Sequence, residues 1–151
     1  MTRVNLHADA VHQRVYSANY LLPEVIPMCT EVAFESLRSD QAVFRVVDSG
    51  EEYTYLFHRD LGESPEENLA RYFGPQCDRD RAGSLDAVDQ AGIRRGEVTE
   101  GMSKDGVVFA IGYPPPHQTP QLETNQWRYW KRRFDTILVH FERGRVVRIT
   151  D

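Results

Sequence analysis

The sequence predicts an α+β fold: a small β-rich module, an SH3-like barrel or a meander, followed by two helices laid on a three-stranded antiparallel sheet. Short runs of alternating polarity separated by turn residues fill positions 30–58. Helix-start and helix-stop signals bracket stretches after Ser64 and Ser103, and alternation returns from Trp127 to Ile149. A chain of 151 residues is one compact domain or two very small ones. It buries roughly 70% of its unfolded surface, enough for a core without metals or dense disulfides. No run approaches the ~20 apolar residues that cross a bilayer. Residues 1–25 lack the basic start, apolar block and small-residue cleavage site of a secretory leader.

Residues 1–28 show no period, and Pro23 and Pro27 argue against a continuous helix or a central strand, so an extended arm is expected there. The β-rich module with one helix spans 29–76. Thr30, Val32 and Phe34 alternate with Glu31, Ala33 and Glu35. The run Val43–Val47 leads through Asp48-Ser49-Gly50 into Tyr53–His58. Ser64-Pro65-Glu66-Glu67 combines a hydroxyl cap, proline at the first helical position and a glutamate three residues on, and Gly74-Pro75 stops that helix. Leu69, Tyr72 and Phe73 fall on its inward side; Glu66, Glu67 and Arg71 face water.

Residues 77–84 read as an acidic connector and 85–151 as the second module. A short helix over Leu85–Ala91 is predicted to end at Gly92. Another begins at Ser103, with Val107, Val108 and Ile111 apolar and Gly112 past its end. Gly106 costs that helix about 1 kcal/mol relative to alanine. Pro114-Pro115-Pro116 makes Tyr113–Thr124 a stiff exposed loop. Strands follow at Trp127–Lys131, Thr136–Phe141 and Arg145–Ile149, with turns at Arg133 and Arg143-Gly144.

Gly101-Met102-Ser103, Val107, Ile111-Gly112, Pro114, then Trp127-x-Tyr129 and Val139-x-Phe141-x-x-Gly144-x-Val146 resemble the BamE-like (SmpA/OmlA) module of bacterial envelope proteins. Its pattern is a turn into a capped helix, a helix-ending Gly-x-Pro, an aromatic strand and a final hairpin. The likeness covers roughly 85–151. Gly106 and the longer proline loop depart from it, and no lipidated cysteine precedes the domain. The resemblance implies a periplasmic or outer-membrane-associated protein that binds envelope proteins, and anionic lipid as a further ligand, in outer-membrane assembly or maintenance.

Residues 1–90 carry a net charge of −8 and residues 91–151 one of +3, and 16 of the 18 basic residues are arginine. The overall −5 argues against duplex nucleic acid. Arginine's planar fork suits bidentate pairing and stacking on aromatics. Cys29 and Cys77 form no CxxC. They are either one disulfide, worth about 3–4 kcal/mol by chain entropy and requiring an oxidising compartment, or two separate buried thiols.

Asp78 to Asp89 places Asp at positions one, three, nine and twelve of a calcium-loop template and Gly at six, but Ala82 spoils position five and Asp89 is shorter than the usual glutamate. A solvated connector is favoured over a weak ion site. Trp127 to Phe134 interleaves cations and aromatics: Trp127, Tyr129 and Lys131 share one face, and Arg128, Trp130 and Arg132 the other. A core face with charges outside is the plain reading; exposed aromatics beside a positive patch would serve a protein or anionic headgroups. The candidate binding surface is Tyr113, His117, Trp130, Arg132 and Arg133. His7, His12, His58, His117 and His140 form no metal-ligand spacing, and no GxSxG, GxGxxG or Walker sequence occurs. The expectation is a non-catalytic binding protein without cofactor or metal. The competing readings are an inhibitor-like binder of a secreted enzyme, by analogy with the related fold of β-lactamase inhibitory proteins, and a module for single-stranded nucleic acid or anions.

Overall fold

A computed structural model describes residues 1–60 and 62–151. Strands β1 (Leu6–Asp9), β2 (Arg14–Tyr16), β3 (Glu24–Ile26), β4 (Val32–Leu37), β5 (Gln41–Val46) and β6 (Glu52–Leu56) come first. Helices α1 (Pro65–Tyr72), α2 (Arg79–Gly83), α3 (Ala87–Arg95) and α4 (Lys104–Ile111) follow, then β7 (Gln126–Arg132), β8 (Asp135–Glu142) and β9 (Arg145–Thr150). The fold is α+β. A mixed sheet runs in the order β3-β1-β2-β6-β5-β4, and an antiparallel sheet in the order β7-β8-β9. No described helix is long and apolar enough to cross a membrane.

The expected meander is present as β4-β5-β6, within an open sheet rather than an SH3-like barrel. The extended arm expected over 1–28 is corrected: it supplies β1, β2 and β3, and β2 pairs in parallel with β6. The period is missing because Leu6, His7 and Ala8 are all buried, so β1 has no wet face to alternate with. Pro23 and Pro27 flank β3, which is an edge strand and tolerates them.

The helix α1 starts as predicted. Ser64 Oγ accepts the Glu67 N–H at 3.1 Å and the Glu67 carboxylate accepts the Ser64 N–H at 3.3 Å. Tyr72 and Phe73 bury against the large sheet. The connector 77–84 carries α2, and the acidic template is occupied by the fold. Asp86 caps α3 by accepting the Asp89 N–H at 3.0 Å and pairs with Arg145 at 2.7 Å, while Asp89 is buried. The helix expected to stop at Gly92 continues to Arg95 and ends at Gly96, which has φ +67°. Gly92 lies inside it because the Met102 thioether fills the space a Cβ would need.

The helix α4 runs from the Ser103 cap to Gly112, at φ +78°, as predicted. Phe109 enters the core of the large sheet, whereas Val107, Ala110 and Ile111 enter the core of the small sheet; Ile93 and Val108 touch both. A helix apolar all round is one buried between layers. Its last carbonyls are satisfied by the N-terminal segment. Asn5 Nδ2 donates to Ala110 O at 3.1 Å, and Asn19 Nδ2 to Ile111 O and Tyr113 O, both at 2.8 Å.

The three C-terminal strands form as predicted, with Trp127, Tyr129, Val139, Phe141 and Val146 on the core face. The proline loop is not wholly exposed: Pro114, Pro115 and Thr119 are buried. It lies along the outer edge of β7, where Thr119 Oγ1 accepts the Arg128 N–H at 3.0 Å. Cys29 and Cys77 are joined in a disulfide with Cα atoms 5.4 Å apart, tying the β3–β4 connection to the α1–α2 connection.

Candidate functional site

The small sheet meets the large one at a seam. Tyr20 bridges to Trp130 as a parallel pair, and the Leu21 N–H donates to Trp130 O at 2.9 Å. The Ser17 N–H donates to Leu56 O at 2.9 Å and Ser17 Oγ accepts the His58 N–H at 2.6 Å, so the chain leaving β2 is fixed against the end of β6. A groove of about 730 Å³ opens along this seam, within the size range of ligand sites. Tyr16, Tyr20, Phe57 and His58 line it, and Arg59, Arg132 and Arg133 stand at its rim.

The aromatic rings form a continuous wall. Tyr16 lies 5.0 Å from Tyr20, Tyr20 stacks on Trp130 at 5.8 Å, and Trp130 meets the edge of His117 at 5.9 Å. His117 stacks on His58 at 5.3 Å with planes 5° apart. Four residues expected from sequence, His117, Trp130, Arg132 and Arg133, therefore gather here, the first two behind the groove and the arginines beside it. Tyr113 does not join them. It lines a separate cleft of about 300 Å³, where the Arg71 guanidinium lies 5.2 Å from its ring centroid.

Burial, and then the neighbouring His58, lower the His117 pKa below the usual 6.5. The His117 imidazole is thus held neutral near pH 7, which keeps its stacking face uncharged. Burial raises the Tyr20 phenol, with Arg133 opposing it. Arg132 has one loose partner, Asp135 at 3.4 Å, and Arg133 lies over the ring of Phe134 at 4.9 Å. The acidic groups of the groove are Asp9 and Asp40. Asp9 is engaged by His12 at 2.8 Å, and that hydrogen bond is the main reason its pKa is lowered. His117 Nδ1 and Trp130 Nε1 are buried with no hydrogen-bond partner among the described residues.

Sequence reasoning missed Tyr16, Tyr20, Phe57, His58, Arg59 and Phe134. The first two lie in the segment expected as an extended arm, and Phe57, His58 and Arg59 follow β6, where their alternation signals only a strand and its end. Phe134 carried a signal in the Arg133-Phe134 turn, where a glycine would be ordinary. It sits at φ +67° and is 85% exposed at the hairpin tip, a strained, wet placement for a large ring. Trp127 and Tyr129 are core residues, as the plain reading of that strand expected. Among the described residues no three His, Cys, Asp or Glu side chains assemble as a metal site. Chemically, stacked rings with guanidinium forks at the rim recognise a planar or apolar body that carries carboxylate or phosphate groups. Compared with family models, with curated proteins and with solved structures, the chain finds no match.

Proposed function

We propose that this protein is a non-catalytic binding protein of the bacterial cell envelope, serving outer-membrane assembly or maintenance, and that it captures an acidic, aromatic-containing segment of a partner protein in the seam groove. The observation that carries the reading is the aromatic wall from Tyr16 to His58 flanked by Arg59, Arg132 and Arg133. Tyrosine, tryptophan and arginine are the side chains that dominate interface energetics. Support for the compartment comes from the BamE-like motif order in 101–146 and from the Cys29–Cys77 bond, which suits an oxidising environment.

The test is calorimetric titration with a synthetic peptide of alternating glutamate and tyrosine, alongside vesicles containing phosphatidylglycerol. The peptide is expected to bind, to lose affinity steeply between about 50 and 200 mM salt as surface charge is screened, and to bind the double variant Arg132→Glu, Arg133→Glu about tenfold or more weakly. Undiminished binding by that variant would overturn the reading. Vesicle binding without peptide binding would transfer the groove to anionic lipid.

A further inference from the structure

The opposite end of the large sheet presents a different surface. β4 is the last strand in the order, so one side of its backbone faces no other strand of this chain. Its register against β5 shifts between Phe34 and Ser36, with Val32 opposite Val46, Phe34 opposite Phe44 and Leu37 opposite Ala42. The bulge thus returns Leu37 to the face of Val32 and Phe34, the face on which Phe44 and Ala42 are buried. Without the extra residue, Leu37 would point to the other side.

That inner face is not closed. Helix α1 overhangs the edge, leaving an apolar groove of about 480 Å³ between Phe34 and Leu37 on one wall and Leu69 and Phe73 on the other. Phe34 meets Phe73 edge-on at 4.9 Å yet remains 45% exposed, and Leu37 is 51% exposed. An edge strand beside an apolar groove roofed by a helix is the arrangement that accepts an added strand, the ladder giving affinity and alternate side chains giving specificity. Natural edges are guarded by short length, proline, charged side chains or bulges; β4 has six residues with no proline or lysine, and its guards are the single bulge and the carboxylate of Glu35.

The charge around this edge selects the occupant. Glu31 precedes the strand, Glu35 lies within it at the bulge, and Glu66 lines the groove from α1. Glu52 stands beside Glu35, and a hydrogen bond between the two carboxyls, followed by their mutual repulsion, raises the Glu52 pKa. Arg45 answers Glu35 at 3.2 Å, with both side chains exposed. A second copy of the chain, pairing β4 with β4, would set Glu31 and Glu35 against the same carboxylates, which costs stability. A segment carrying lysine or arginine would gain where the second copy loses.

We infer that β4 and α1 form a docking groove for an extended basic segment of a partner protein, which adds a strand at the β4 edge and sets alternate apolar side chains between Phe34, Leu37, Leu69 and Phe73. This site is separate from the seam groove and does not rest on its reading. The test uses fluorescence anisotropy with the peptide acetyl-Lys-Val-Thr-Val-Thr-Leu-Lys-amide. Saturable binding is expected, weakened about tenfold or more when the lysines become glutamates, when alternate backbone amides are N-methylated, or when the protein carries Leu37→Asp or Glu35→Lys. Arg132→Glu, Arg133→Glu should leave it unchanged, which distinguishes this site from the seam. The inference is overturned by the absence of saturable binding up to about 1 mM, by equal binding of the glutamate or N-methylated peptide, or by a Leu37-dependent dimer in sedimentation velocity. The peptide changes leave the protein untouched, so the result does not depend on a variant folding.

Discussion

Asp89 shows how one side chain determines its neighbours. It is 1% exposed, and its carboxylate accepts both the Ser103 N–H and the Ser103 hydroxyl at 2.8 Å, binding α3 to the first turn of α4. That carboxylate occupies the place where a Cβ on residue 106 would stand. Gly106 is thus a packing requirement, although by helix propensity alone it is a defect. Gly106→Ala should gain about 1 kcal/mol of propensity and lose more to overpacking, which typically costs about 1–3 kcal/mol. A net destabilisation is expected in urea unfolding. In an Asp89→Ala background the same substitution should cost markedly less, as coupling between touching residues requires. A stabilised single variant would show that the two helices do not lie this close.

At the scale of elements, local chemistry separates what is visible in the sequence from what is not. Helix α1 begins where Ser64, Pro65 and Glu67 place it because all its start signals lie within four residues. Ser64→Ala, which removes one arm of the capping box, is expected to cost about 1 kcal/mol, read as a lowered thermal midpoint. The α4 cap and the β7–β9 hairpins were legible for the same reason. The strands β1–β3 were not, because their partners are distant. His7 bonds to Gly96 across 89 positions, and β2 pairs in parallel with β6. The end of α3 lies beyond the expected Gly92 because the packing of Gly92 against Met102 leaves no local trace in the sequence. The candidate site divides likewise: the arginines and Trp130 stood out in a short cationic-aromatic run, whereas Tyr16, Tyr20 and His58 reach them only through the seam.

At the scale of the whole molecule, two cores share α4 and are laced together by N-terminal polar groups, so ionisation at those contacts affects global stability. His7 is buried in β1, and its ring hydrogen-bonds Gly96 O at 2.9 Å through Nε2, which fixes Nε2 as the donor and leaves Nδ1 without a partner among the described residues. Burial lowers its pKa below 6.5, outweighing the Gly96 bond, and His117 is lowered for a similar reason. Below pH 6.5 the unfolded chain takes up protons at these imidazoles before the folded chain does. The unfolded state then binds more protons, and stability falls as pH drops through this window. Above pH 6.5 both states hold the rings neutral and the contribution is flat. Asp9 and Asp86 are shifted in the opposite sense relative to charge: their lowered pKa values favour the folded state above the ordinary 3.8, and that support is lost only in stronger acid. Thermal midpoints should therefore decline from pH 7 to pH 5, well before the carboxylates titrate. His7→Gln, which keeps a donor toward Gly96 without a titrating ring, should reduce that slope and leave the steeper loss below pH 4 intact. An unaltered slope in His7→Gln would assign the decline to other groups and remove His7 from the contact between β1 and the end of α3.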